Sequence, residues 1–133
     1  MEHINPEGLL HNPAFSQVIT TSGKGKNIYI GGQNAVNKDR EIIGKGNLAE
    51  QTEQVMKNLE TALKACKADF EHLVKLNIHI LQGQNATEAF QVSQKYLGRA
   101  GNPPTITVTF ISGFVHPDFL LEIDAIAFLP ESV

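Results

Sequence analysis

The stretch Asn102–Phe128, NPPTITVTFISGFVHPDFLLEIDAIAF, decides the fold. It reads as two strands joined by a loop and entered through Pro103-Pro104. In the first strand Thr105, Thr107 and Thr109 alternate with Ile106, Val108 and Phe110, and a period of two gives that strand one apolar face. In the second, Glu122 and Asp124 interrupt the apolar run of Leu120, Leu121, Ile123, Ala125 and Ile126, so both carboxylates point to the same side. By strand rise they lie about 6.6 Å apart. Two carboxylates that close can raise one pKa and divide acid and base roles. The alternative is a pair of solvated or ion-paired charges. Burying a charge without a partner is costly, so acids isolated in an apolar strand point to a specific site or interface.

Working upstream, Asn85 with Glu88 three residues later opens a helix whose inner stripe is Ala86, Ala89, Phe90, Ser93, Tyr96 and Leu97. Before it, Val74, Leu76, Ile78 and Ile80 alternate with Lys75, Asn77, His79 and Leu81, which predicts a strand with one strongly apolar face. Asn47 with Glu50 resembles a capping box at the start of a longer helix. Its stripe runs Leu48, Thr52, Val55, Met56, Leu59, Ala62, Leu63 and Cys66. Nearer the N-terminus, after a short irregular start, Phe15–Thr21 and Asn27–Gly31 read as two strands around the glycine-bearing connection Ser22–Lys26. Ile28 and Ile30 share a face there, with Tyr29 opposite, and Gly31-Gly32 ends the strand. Asn34–Gly46 is polar and turn-rich, with a short strand possible at Glu41–Ile43. The order β-β-(β)-α-β-α-β-β predicts one α+β domain over residues 1–133. Its mixed sheet has hairpins at both ends and both helices packed on one face. The other face mixes polar and apolar side chains, which points to an oligomer.

Composition narrows the function. Within 133 residues, 41% hydrophobic and 19% charged, a net charge of −3 argues against nucleic acid as the main partner. The eleven basic residues are scattered, and Lys24 with Lys26, the densest pairing, reads as a solvated hairpin tip. The single cysteine, Cys66, reads as a core residue and suits a reducing compartment. The N-terminus has no signal-peptide pattern, and no apolar run approaches the roughly 20 residues of a membrane span, so a cytoplasmic location is expected. The five histidines lack metal-ligand spacing, and neither a metal nor a cofactor is called for. His79 reads as a structural or interface residue, whereas His116, in the loop before Pro117, is placed to reach a cleft. A phosphate-cradling glycine loop and a nucleophile elbow are both missing.

Several short motifs, in order, resemble the RidA (YjgF) family of reactive-intermediate deaminases. They are Phe15-Ser16-Gln17, Ile28-Tyr29-Ile30-Gly31-Gly32-Gln33, the helix start Leu48-Ala49-Glu50-Gln51-Thr52, Leu73-Val74-Lys75, Asn102-Pro103-Pro104 and Leu121-Glu122-Ile123-Asp124-Ala125-Ile126-Ala127. The resemblance implies a chorismate-mutase-like fold assembled as a homotrimer. Three sheets would form a barrel-like centre, and small-molecule clefts would lie between subunits. It also implies a chemistry: an arginine after the proline motif clamps the substrate carboxylate. Water, positioned by a glutamate, then attacks an enamine or imine and releases ammonia. Glu122 matches that catalytic glutamate, and Gln33 matches the glutamine after the glycines. Ile106 stands where the arginine belongs, Phe15 replaces a tyrosine, Gly31 a serine and Phe90 an asparagine. The cleft has become more apolar and less cationic.

Three readings follow. One is a divergent imine or enamine deaminase, or a hydrolase of small metabolites, with Glu122 orienting water and His116 available to hold substrate. The second is a non-catalytic trimer that binds a small apolar metabolite through Phe15, Phe90 and Ile106. The third, an endoribonuclease, sits poorly with the acidic charge.

Overall fold

In the computed structural model, residues 1–131 are described. The strands are β1 (Glu2–Ile4), β2 (Val18–Thr20), β3 (Gly25–Gln33), β4 (Leu73–Leu81), β5 (Thr105–Ile111) and β6 (Leu121–Pro130). Helix α1 spans Leu48–Ala65 and α2 spans Ala86–Leu97. Strands β3, β6, β4 and β5 form one sheet in that spatial order, and both helices pack on it. Strand β4 runs parallel to β5, and the other two pairings are antiparallel. The architecture is the α+β mixed sheet expected.

Two expectations about neighbours are corrected. The C-terminal strands are not a hairpin, because β4 lies between β5 and β6. Burial explains the order. Leu121, Ile123, Ala125 and Ala127 of β6 are all essentially inaccessible, so this strand takes a central place. The threonine-rich β5 takes the edge, joined to β4 by the helical crossover that a parallel pair needs. At the other end, β2 pairs with β1 rather than with β3, and the start of the chain is a strand rather than irregular. Ser16 holds this N-terminal ribbon in place: its hydroxyl donates to Pro103 O at 2.6 Å and its N–H to Pro104 O at 2.9 Å. Residues Glu41–Ile43 do not form a strand, and only an isolated bridge joins Val36 to Ile42.

The helix starts follow their caps. Asn47 Oδ1 accepts from Glu50 N at 3.0 Å, and Asn85 Oδ1 accepts from Thr87 N at 3.0 Å. Among the described residues Glu50 returns no bond, so the capping box is half made. The α1 stripe is buried from Leu48 to Leu63, with Cys66 half-buried as the C-cap. On α2, Ala89, Val92, Ser93, Tyr96 and Leu97 are buried, but Phe90 is 49% exposed and departs from the inner stripe expected for it. The reason is positional: Phe90 borders a cavity beside edge strand β5, where nothing further covers the ring.

Gln51, fully buried on α1, ties two loops to the helix. Its Nε2 donates to Gly44 O at 3.2 Å and to Asp118 O at 2.8 Å, while its Oε1 accepts from Leu120 N at 2.9 Å. Gln51→Leu leaves these backbone groups without partners and is expected to cost about 3 kcal/mol, read from urea unfolding. A change under about 1 kcal/mol would show that the loops are held by other contacts.

Between the helices, the Tyr96 hydroxyl donates to Glu53 Oε1, with the Arg99 guanidinium 4.7 Å above the ring. Burial, then the bond to Glu53 and its negative charge, push the Tyr96 phenol up to about 12. The folded state therefore holds this proton more tightly than the unfolded chain. The stabilisation is complete below the ordinary value of 10.0 and is lost as pH rises through about 12. In a Tyr29→Phe background, tyrosinate absorbance is expected to titrate near that value and to move down in Glu53→Gln. An unchanged midpoint in Glu53→Gln would contradict the assigned cause.

Candidate functional site

Register across β5, β4 and β6 sorts the candidate residues by face. Ile106 lies beside Leu76 and Ala125, Val108 beside Ile78 and Ile123, and Phe110 beside Ile80 and Leu121. These rows face the helices. The intervening rows, Thr107–Asn77–Asp124 and Thr109–His79–Glu122, face the opposite way.

On the helix side, α2 from Ala86 to Gln94, β5 and the segment around Phe15 border an open cavity of about 250 Å³. Phe15, Phe90, Ile106 and Val108 form its walls, with Ile78 and Ile80 at the back. None of the described lining residues carries a charged side chain. Four are polar, and three of these are occupied in part. Thr52 Oγ1 donates to Leu48 O at 2.8 Å, Ser93 Oγ donates to Phe90 O at 3.0 Å, and Asn12 Oδ1 accepts from Ala14 N at 2.8 Å. The fourth, Gln94, has a buried Nε2 with no hydrogen-bond partner among the described residues.

The outer face carries a polar ladder. Asn77 Nδ2 donates to Asp124 Oδ1 at 2.7 Å. The His79 ring spans Thr109 Oγ1, 2.7 Å from Nδ1, and Asp124 Oδ2, 3.4 Å from Nε2. The two acids of β6 do share this face, as their spacing requires, yet they differ. Asp124 is engaged on two sides, whereas among the described residues Glu122 has neither hydrogen-bond nor ion-pair partner. Its carboxylate lies over Gly32, where an added Cβ would sit 2.7 Å from Glu122 Cδ. Glycine at that position leaves the room the carboxylate occupies. Gly31 and Gln33 flank it in an irregular stretch of β3, where the register with β6 shifts between Ile30 and Gln33. Gln33 Nε2 donates back to Gly31 O at 3.2 Å.

The residues singled out in the sequence therefore separate within one chain. Phe15, Phe90 and Ile106 share the cavity, while Gly31, Gln33 and Glu122 gather at the β3–β6 corner. Glu122 and Ile106 point to opposite faces of the sheet. His116 joins neither group; its Nδ1 accepts from Asp118 N at 3.0 Å, and its ring lies 5.2 Å from that of Phe119. Asn12, Thr52, Ser93 and Gln94 enter the site without having been singled out for it. Gln94 had a signal in its spacing, since it follows Phe90 by four residues and so shares its side of the helix. Among the described residues no cluster of His, Cys, Asp and Glu is arranged to hold a metal, and no helix is long and apolar enough to cross a membrane.

The same architecture recurs in known proteins. A Rid-family protein of unknown function from Yersinia pestis superposes with a TM-score of 0.85 at 28% identity, covering 96% of this chain and 98% of the other. A second Rid-family protein of that organism gives 0.70 at 26% identity, over 84% and 85% of the two chains. In sequence, a RutC family protein of Pyrococcus abyssi is 26% identical over 114 residues, which is 86% of this chain and 85% of the relative. The family model described as Endoribonuclease L-PSP matches residues 9–129. The chain belongs to this family, which includes the Rid, YjgF and RutC proteins.

Proposed function

We propose that this protein binds a small, largely apolar metabolite in the cavity walled by Phe15, Phe90 and Ile106, and does not carry out the imine hydrolysis expected of RidA-like proteins. The observation that carries this reading is Ile106 itself. It stands on a cavity wall where none of the described lining residues is charged, so a carboxylate substrate would be desolvated with no counter-charge from them. An apolar concavity with a few polar groups is an ordinary ligand site. The working protein is proposed to be a cytoplasmic homotrimer. Val108, Phe110 and Phe90, each about half exposed beside the cavity, are apolar surface suited to cover by a neighbouring subunit.

A second reading keeps catalysis. The Glu122 carboxylate over Gly32, unpaired among the described residues, is free to orient a water once a neighbouring subunit closes the outer face. Ribonuclease action has no comparable support, because the chain is net acidic, at −3, and its basic side chains are dispersed.

The two readings separate on a small set of measurements. Ethylbenzene or acetophenone at saturation is expected to raise the melting temperature, because a ligand held only by the native state stabilises it in proportion to log concentration. The shift is expected to persist in Glu122→Ala and to vanish in Ile106→Arg. Freshly generated 2-iminopropanoate is expected to release ammonia no faster with the protein than in buffer. Acceleration that is lost in Glu122→Ala would establish the catalytic reading instead, and a monomeric mass in solution would remove the trimer from either.

A further inference from the structure

The segment that brings Phe15 to the cavity also brings a fixed hydrogen-bond donor. Asn12–Phe15 is a tight turn, closed by the Phe15 N–H donating to Asn12 O at 3.4 Å, with Pro13 at its second position. Within it Asn12 Oδ1 accepts from Ala14 N at 2.8 Å, a bond that holds the side chain in one orientation. Only the oxygen of an amide accepts, so the same bond leaves Nδ2 and its two N–H groups as the free end. Nδ2 has no partner among the described residues, and unlike Gln94 Nε2 it is not sealed from solvent. The frame around it is rigid, because Ser16 is tied to Pro103 O and Pro104 O, just before Ile106 in the chain. The other polar side chains of the lining offer no such donor. The hydroxyl hydrogens of Thr52 and Ser93 are committed to Leu48 O and Phe90 O, and Gln94 Nε2 is out of a guest's reach. Thr52 is fully buried at the back of the cavity, whereas the half-buried Asn12 stands at its rim.

We infer that Asn12 Nδ2 donates a hydrogen bond to an uncharged acceptor oxygen at the outer end of the ligand, whose apolar body lies inward against Phe15, Phe90 and Ile106. The inference rests on the binding reading above and deepens it by naming the ligand class and its orientation. An amide already fixed by its own backbone gives up little freedom when it takes a guest, so most of that bond is available to affinity. Size limits the class. A cavity of about 150 Å³ holds benzene, so one of about 250 Å³ has room for a phenyl ring with a short substituent or an aliphatic body of similar bulk. Charge limits it again, since a carboxylate at the rim loses part of its hydration and none of the described lining residues is cationic. The ligand is an uncharged ketone, aldehyde, ester or amide of roughly that size, with its polar group at one end.

The test titrates four probes into the full chain by heteronuclear NMR: acetophenone, ethylbenzene as the same body without an acceptor, benzoate and benzylammonium. In the unaltered protein acetophenone is expected to shift the Asn12 side-chain amide protons together with Ile106 and Phe90, and the two charged probes are expected to bind more weakly than it does. The variants are Asn12→Ser and Asn12→Asp, each of which keeps an oxygen to accept from Ala14 N but loses the amide donor. In Asn12→Ser the affinity ratio of acetophenone to ethylbenzene is expected to fall about fivefold, the usual worth of one neutral hydrogen bond. Taking the ratio across both proteins cancels the difference in water affinity between the two probes. In Asn12→Asp the ratio falls further and benzylammonium gains affinity, an inversion that loss of the turn alone would not produce. Retained ethylbenzene binding in both variants shows that the cavity is intact. A ratio unchanged in both variants, or Asn12 amide protons that do not respond to acetophenone, means that Nδ2 serves water outside the cavity; that overturns the inference and leaves the binding reading in place. Benzoate binding tightest to the unaltered protein overturns it as well. If neither neutral probe perturbs Ile106 or Phe90, this inference and the proposed function fall together.

Discussion

Alternation along β5, β4 and β6 is the constraint on which the rest of the structure depends. Because successive side chains in a strand leave opposite faces, the register that sets Leu76 beside Ile106 and His79 beside Glu122 also separates Ile106 from Glu122. A slip of one residue would exchange the apolar wall of the cavity for the polar ladder of Asn77, His79 and Asp124. The core prevents that slip: Leu76, Leu121 and Ile123 are completely buried, and moving them to the outer face would expose all three. The site's chemistry is thus tied to the packing that stabilises the domain.

Each face then has its own character. Toward the helices, the end of β5 is left uncovered and opens a cavity whose polar groups are few and mostly engaged. Outward, the sheet carries hydrogen-bonded polar side chains around Glu122, an acid unpaired among the described residues. A chemistry that needs a carboxylate clamp and a water-orienting glutamate together needs groups from both faces, which one chain does not bring into a single pocket. With Ile106 on its wall and no charged side chain among the described lining residues, the cavity is suited to a neutral guest.

Much of the fold was legible because its signals are local. Helical stripes, Asn caps and the period-two strands sit close to where the sequence places them. Strand neighbours were not legible. The position of β6 between β3 and β4 follows from the burial of Leu121, Ile123, Ala125 and Ala127 against distant elements, and β1 is held by Ser16 bonding to Pro103 across the chain. The same distinction applies to the site. Phe15 and Ile106 were marked by comparison with related motifs, and they do line one cavity with Phe90. Periodicity put Phe90 in the core because a helical repeat does not reveal where the covering sheet ends. Spacing puts Gln94 on the same side of its helix as Phe90, but the missing partner of its Nε2 among the described residues is a property of the folded neighbourhood and not of its residue type.

The central claim is that the cavity at Ile106 takes an uncharged guest. A crystal structure grown with acetophenone and pyruvate at equal concentration tests it most directly. The account predicts acetophenone inside the cavity against Phe15, Phe90 and Ile106, with no pyruvate there. Pyruvate seated in the cavity, or bound against Glu122 with acetophenone absent, would contradict it.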